Sequence, residues 1–230
     1  MSRARQLLEI PAPGLFLGAQ LAVVEDLNDP DNRARVKVRL LGSDGVADHD
    51  GPIWARVACP FAGDNRGTFF IPDVGDEVLV SFVQGDPRFP IVLGGLWNGS
   101  TQSPASISGG QNYLKVIRSK NGVKLTLDDH DGQEKFIVET PGGQKVTLSD
   151  GPGSLALEDS NGNSIKLEAA GITITASAKV TVNAPQVAVS AGMVQVDAGM
   201  SKFSGVVQCD TLMATTVVAS TYTPGAGNVW

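Results

Sequence analysis

The sequence predicts an all-β chain in two parts, an N-terminal OB-type barrel followed by a C-terminal intertwined trimeric β-helix or β-prism. Three observations carry that reading. Five apolar-polar alternations lie within the first hundred residues, separated by turn clusters. From about residue 121 the chain changes to short apolar-x-apolar units that recur every seven to eleven residues. Twenty-seven glycines and 13 prolines, scattered without a collagen period, supply the punctuation that many short strands need.

The first part reads as five short antiparallel strands: "LFLGAQLAVVED", "ARVKVRLLG", "GPIWARVACP", "DEVLVSFVQ" and "FPIVLGGLW". Turn signals separate them at Asn28 to Asn32, Ser43 to Gly45, Ala62 to Gly67 and Gly85 to Pro87. Five such strands with no helical period longer than one turn fit a small closed barrel of OB type. In the fourth, Val78, Val80 and Phe82 alternate with Leu79, Ser81 and Val83, the period of a half-buried strand. The connector that follows is stiff. Gly85 and Asp86 precede Pro87, and Pro87 and Pro90 bracket Arg88-Phe89, so the backbone is restricted on both sides of the corner.

A polar, Gly/Ser/Pro-rich junction, "NGSTQSPASISGGQN" at 98 to 112, marks the change of grammar. The units beyond it are Leu125/Leu127, Phe136/Val138, Val146/Leu148, Leu155/Leu157, Ile165/Leu167, Ile172/Ile174, Val180/Val182, Val187/Val189 and Val194/Val196. Hairpin-like turns separate the early ones, at Asn121-Gly122, Asp131-Gly132, Gly142-Gly143, Gly151-Pro152-Gly153 and Asn161-Gly162. The later ones follow too closely for hairpins. Two inward apolar residues per unit cannot offset the entropy of ordering the array, and a lone ribbon leaves its edges unpaired. Three identical chains forming the faces of a triangular prism are the simplest closure. The expected trimer core is therefore Leu125, Leu127, Val146, Leu148, Ile165, Leu167, Ile172, Ile174, Val180, Val182, Val187, Val189, Val194 and Val196. Residues 172–230 hold four formal charges, Lys179, Asp197, Lys202 and Asp210, as a narrow prism requires. The division expected is an arm at 1–14, barrel at 15–104, neck at 105–120, triple-stranded β-helix at 121–220 and tip segment at 221–230.

Composition narrows the function. A net charge of −6, with nine basic against thirteen acidic residues in positions 1–110, argues against a nucleic-acid binder. The competing signal is "DNRARVKVRL", which reads as Arg33, Arg35, Lys37 and Arg39 on one strand face, with Trp54, Phe61, Phe69 and Phe70 nearby in sequence. A solvated or protein-contacting strand face is the reading kept. Cys59 and Cys209 form neither a disulfide framework nor a metal pair. The start, "MSRARQLLEIPAPGLF", lacks a secretory apolar run, and no stretch of about 18 apolar residues exists, so assembly in a bacterial cytoplasm is expected.

No motif for catalysis or cofactor binding is present. Asp48-His49-Asp50 reads as a polar loop, since a metal site needs further ligands. In "DDHDGQE" at 128–134 the glycine arrives too early for a calcium loop, and a hairpin turn accounts for it. Neither a nucleophile elbow, a zinc-protease helix nor a phosphate loop occurs, and a polysaccharide-digesting enzyme finds no support. No catalytic residue, metal or cofactor is expected.

"IPDVGDEVLVSFVQGDPRFPIVLGGLWNGSTQSP" (71–104) and "LGAQLAVVEDLNDPDNRARVKVRLLG" resemble the barrel of the central spike family of contractile injection machines. That family includes the baseplate V protein of contractile phage tails, the valine-glycine-repeat spike of type VI secretion and the spikes of extracellular injection particles. The resemblance implies a non-enzymatic homotrimeric spike, part of a phage tail or tail-like particle. Its barrels would sit at the end of the tail tube and organise the baseplate hub, and its prism would puncture the target membrane. It implies that the corner at Gly85, Asp86, Pro87 and Pro90 transmits axial force. Some such spikes carry a His-x-His metal apex or an inserted lysozyme domain. Here the histidines are His49 and His130, and the junction has no room for the insertion. An apex formed by Tyr222, Pro224, Val229 and Trp230 is then the expected docking site for a PAAR-type tip protein.

Overall fold

Alternation becomes strand wherever the first part can close on itself. The computed structural model describes residues 15–43 and 51–221. It begins with β1 (Gln20–Asp26), β2 (Val36–Leu40) and β3 (Ile53–Val57), followed by a two-residue hairpin, β4 (Ala62–Gly63) and β5 (Arg66–Gly67). Then come β6 (Glu77–Phe82) and β7 (Pro90–Gly95). The long five close a barrel in the order β1-β2-β3-β7-β6. Ala22, Val24, Val36, Val38, Ala55, Val78, Val80 and Val92 are buried inside it, with Leu40 and Phe82 at its ends. Valine and alanine dominate because a five-stranded barrel is narrow, and β-branched side chains pack well on a pleated wall. Phe16 stacks on Phe82 with ring centroids 4.8 Å apart.

One feature corrects the sequence reading. The strands were expected to be antiparallel throughout, yet β3 and β7 run parallel, pairing Arg56 with Ile91 and Val57 with Val92. The other four seams are antiparallel. A parallel seam needs a long crossover, and the chain supplies one through the β4–β5 hairpin and β6 before β7 returns beside β3.

The second sheet is a seven-stranded meander of β8 (Leu114–Arg118), β9 (Lys124–Asp128), β10 (Lys135–Glu139), β11 (Lys145–Ser149), β12 (Ser154–Glu158), β13 (Ser164–Glu168) and β14 (Gly171–Thr175). Its first strand lies in the segment read above as neck. Three of its turns share one chemistry. In each, a backbone N–H at position one of five donates to the carbonyl of position five, and the glycine at position four donates back to the first carbonyl: Ser119 to Val123, Thr140 to Gln144, and Asp159 to Asn163. Gly122, Gly143 and Gly162 take φ of +92°, +87° and +83°, which other residues adopt only at a steric cost.

Residues 180–221 form a second unit. No strand or helix occurs among the described residues 176–221.

Candidate functional site

The structure brings together two of the predicted groups. The first is the corner between β6 and β7. Gly85 sits at φ +79° and is buried, and Gln84 precedes it at φ +54°. A Cβ on Gly85 would lie 3.3 Å from the Phe16 carbonyl oxygen and 3.4 Å from Leu15 and Leu17. The Phe16 N–H donates to the Gly85 carbonyl at 2.9 Å, so the strand-entry segment is stapled to the corner. Asp86 holds the other side. Its carboxylate accepts from the Arg88 backbone N–H at 2.9 Å and from the Arg88 guanidinium at 2.6 Å. Those bonds hold the Asp86 carboxyl below its ordinary range. Pro90 is buried opposite Phe82 as the first residue of β7, a place where a strand needs no N–H.

The second group is one face of the meander. Register puts Leu125, Val138, Val146, Leu157, Ile165 and Ile174 in one cross-strand row. Leu127, Phe136, Leu148, Leu155, Leu167 and Ile172 form the next, on the same face. The opposite face carries Thr126, Ile137, Thr147, Ala156, Lys166 and Thr173, flanked by charges such as the Lys124–Glu139 pair at 3.2 Å. Among the described residues nothing covers the apolar rows completely. Leu127 and Leu148 are about half exposed, and Ile172 and Ile174 are 69% and 61% exposed. Such a contiguous apolar face marks an interaction surface. In the second unit Val180, Val182, Val187, Val189, Val194 and Val196 are likewise exposed.

Polar side chains tie the β12–β13 turn to the segment that follows β14. The Asp159 carboxylate accepts from the Asn163 backbone N–H at 2.8 Å and its side-chain amide at 2.7 Å. The Asn163 side-chain Oδ1 in turn accepts from the Ser177 N–H at 2.9 Å, pinning the segment that leaves β14. Led by the Asn163 amide, these donors lower the Asp159 carboxyl to about 2.

The basic strand face read from "DNRARVKVRL" does not exist as such. Asn32 and Ala34 take positive φ, so Arg33 and Arg35 lie in a turn before β2 rather than on it. Arg35 is committed to Asp29 at 2.6 Å and Asp31 at 2.8 Å, and Arg39 to Glu25 at 2.7 Å. Asp29, its side chain only 4% exposed, also accepts the Arg33 N–H at 2.8 Å. The Arg35 guanidinium holds the Asp29 carboxyl far below the ordinary carboxylate range. Period-two counting placed these arginines on a strand because it has no signal for a carboxylate that captures the preceding turn.

In the 128–134 segment, His130 stacks on Tyr113 at 4.1 Å and its Nδ1 lies 2.5 Å from Asp128. The segment is the β9–β10 turn, with the Gln133 N–H donating to the His130 carbonyl. Among the described residues no group of three or more His, Cys, Asp or Glu side chains is placed to hold a metal ion. Asp48, His49 and Asp50, the arm at 1–14, and Tyr222, Pro224, Val229 and Trp230 lie outside the described residues.

Comparison with known proteins adds identity to this geometry. Residues 20–97 match the type VI secretion system/phage-baseplate injector OB domain, and residues 135–195 match the phage baseplate V C-terminal trimerisation domain. The type VI secretion system spike protein VgrG4b of Pseudomonas aeruginosa is 35% identical over 145 residues, 58% of this chain and 18% of that protein. VgrG1b of the same organism is 30% identical over 156 residues, 63% and 21% respectively. The Vibrio cholerae spike protein VgrG3 is 31% identical over 114 residues, 47% and 11%. The chain thus spans about a fifth or less of the length of these relatives.

Proposed function

From a chain that belongs to the central spike family of contractile injection systems, we propose a non-enzymatic, homotrimeric spike that organises a baseplate hub and punctures a target envelope. The observation that carries the reading is the exposed apolar face of β9–β14, together with the exposed valines at positions 180–196 of the second unit. Three copies around one axis would bury those rows against one another, and each chain would supply hydrogen-bond partners for the described residues 176–221, which form no strand or helix. Exposed apolar rows in a single chain and a matched trimerisation domain in the same residues support it.

The mechanism is mechanical. Sheath contraction would drive the prism through a membrane, while the barrels stay with the tail tube and hub proteins. The stapled corner at Gly85 to Pro90 suits a barrel under axial load, because deformation there would break several bonds at once. The assembly place proposed is the bacterial cytoplasm, and the destination a phage tail or tail-like particle. Among the described residues no helix is long and apolar enough to cross a membrane.

Light scattering tests the central claim. The purified protein should show about three times the 23.9 kDa chain mass, and a folded monomer at micromolar concentration would sink it. Docking of a PAAR-type cap on Tyr222, Pro224, Val229 and Trp230 is part of the same proposal. Removing residues 221–230 should leave the trimer mass unchanged and abolish co-purification of the cap. Full capture by the shortened chain would refute that role.

A further inference from the structure

The short β4–β5 hairpin helps to build a groove on the barrel that none of the foregoing uses. Asp64 and Asn65 make its two-residue turn, with Asn65 at φ +52°. Its glycines are needed for contact. A Cβ at Gly67 would lie 2.8 Å from the Phe61 carbonyl oxygen, and one at Gly63 would lie 2.5 Å from Arg66 Nε. Gly63 thereby lets the Arg66 side chain lie across the hairpin.

The groove beneath has a volume of about 630 Å³ and is lined by Arg33, Arg56 and Arg66 with Thr68, Phe69 and Phe70 among its walls. Among the described residues no carboxylate lines it. Arg33 approaches Asp31 only at 4.0 Å, and among the described residues neither Arg56 nor Arg66 has an ion-pair partner. The Thr68 hydroxyl oxygen is shielded from solvent and makes no hydrogen bond. Phe69 and Phe70 are 77% and 69% exposed. Three guanidinium groups, one of them paired only at 4.0 Å and two with no ion-pair partner among the described residues, on a chain of net charge −6 and beside exposed aromatic rings, form a site short of an anion and of an apolar cover.

We propose that this groove binds an extended, acidic segment of a partner protein, its carboxylates on Arg33, Arg56 and Arg66 and its apolar side chains on Phe69 and Phe70. Guanidinium groups suit carboxylates through paired, charge-assisted hydrogen bonds, and arginine with aromatics is the composition of interface centres. A polynucleotide fits less well. Its phosphates continue beyond the groove, over a barrel region with more acidic than basic residues, whereas a short acidic segment meets only the local positive charge. The site belongs to the barrel and goes beyond the trimer proposed above, so the failure of either leaves the other standing.

Fluorescence anisotropy on the full chain tests it. The probe is a fluorescein-labelled twelve-residue peptide alternating glutamate with leucine or phenylalanine. Comparators replace glutamate by lysine, replace the apolar residues by serine, or use a twelve-nucleotide oligothymidine. The acidic apolar peptide should bind best, and more weakly as salt is raised. Arg56→Glu with Arg66→Glu should weaken it by about tenfold or more. Phe69→Ser with Phe70→Ser should weaken it several-fold without lowering the melting temperature of the free protein, since both rings are largely exposed. Should the double variant fail to fold, Arg66→Gln on the exposed hairpin should cost about threefold. Unchanged affinity in either arginine variant, equal binding of the lysine or serine peptide, or tighter binding of the oligonucleotide would overturn the assignment.

Discussion

Val78 and Val80 on one strand, and Val180 and Val182 beyond the meander, share the same residues at the same spacing, yet the first pair is 0% exposed and the second 60% and 68%. The barrel closes β1 to β6 and so gives every strand two neighbours and an inside. Among the described residues the meander ends at β8 and β14 with no further strand paired to either, and residues 176–221 form no strand. Burial is therefore a property of closure rather than of the alternating pattern. The barrel closes within one chain, and on the present proposal the repeat closes only between chains. On that proposal stability divides too, the barrel's core being independent of concentration while the repeat's depends on its partners.

The largest expected effect breaks the repeat and spares the barrel. Ile172→Asp with Ile174→Asp would put six carboxylates against one another in a trimer, so light scattering should fall to the single-chain mass of 23.9 kDa. The barrel's cooperative urea transition should persist. Loss of both together would show that the barrel also depends on the trimer.

A smaller effect sharpens the contrast from the other side. Val80→Ala should cost the barrel about 2 kcal/mol in urea denaturation, because Val80 is wholly buried among side chains that cannot collapse into the space. Trimer mass should not change. Gly85→Ala should cost about 1–2 kcal/mol, since φ +79° is left-handed and the new methyl would crowd Phe16 and Leu17. An equal cost for Val182→Ala in a chain held monomeric would contradict the comparison, because that side chain then has nothing to leave.

Acid should affect both regions, each through its own carboxylate. Asp29 anchors the turn into β2 and Asp159 the turn between β12 and β13, and both have folded-state values below the ordinary 3.8. A depressed carboxyl contributes its stability above the unfolded value and loses it as pH falls through the folded one. Stability should therefore be flat above about pH 4 from these groups and decline below it, with the Asp159 share fading toward pH about 2. Asp29→Asn should flatten the acid response of the barrel transition only, and Asp159→Asn that of the sheet only. A shared change would mean the two regions unfold as one.

Much of this was legible from local pattern. Alternation in "EVLVSF" located β6 and its buried face, and Asn-Gly and Gly-Gly pairs located the meander turns, because side-chain direction and positive φ are set within a few residues. The same logic failed at Arg33 and Arg35, where Asp29 draws the backbone into a turn that interrupts the alternation. It was silent on Arg56 and Arg66, ordinary cations on separate elements until the barrel sets both beside Phe69.

The sequence by itself determined the all-β class, the five barrel strands, the repeat and its apolar face, since each rests on the two-residue period of an extended backbone. Only the tertiary structure decided that β3 pairs β7 in parallel, that Arg35 belongs to Asp29 and that three arginines share one groove. Those depend on which distant segments meet, and pairing across tens of residues is chosen by closure and charge in space, for which a linear pattern carries no term.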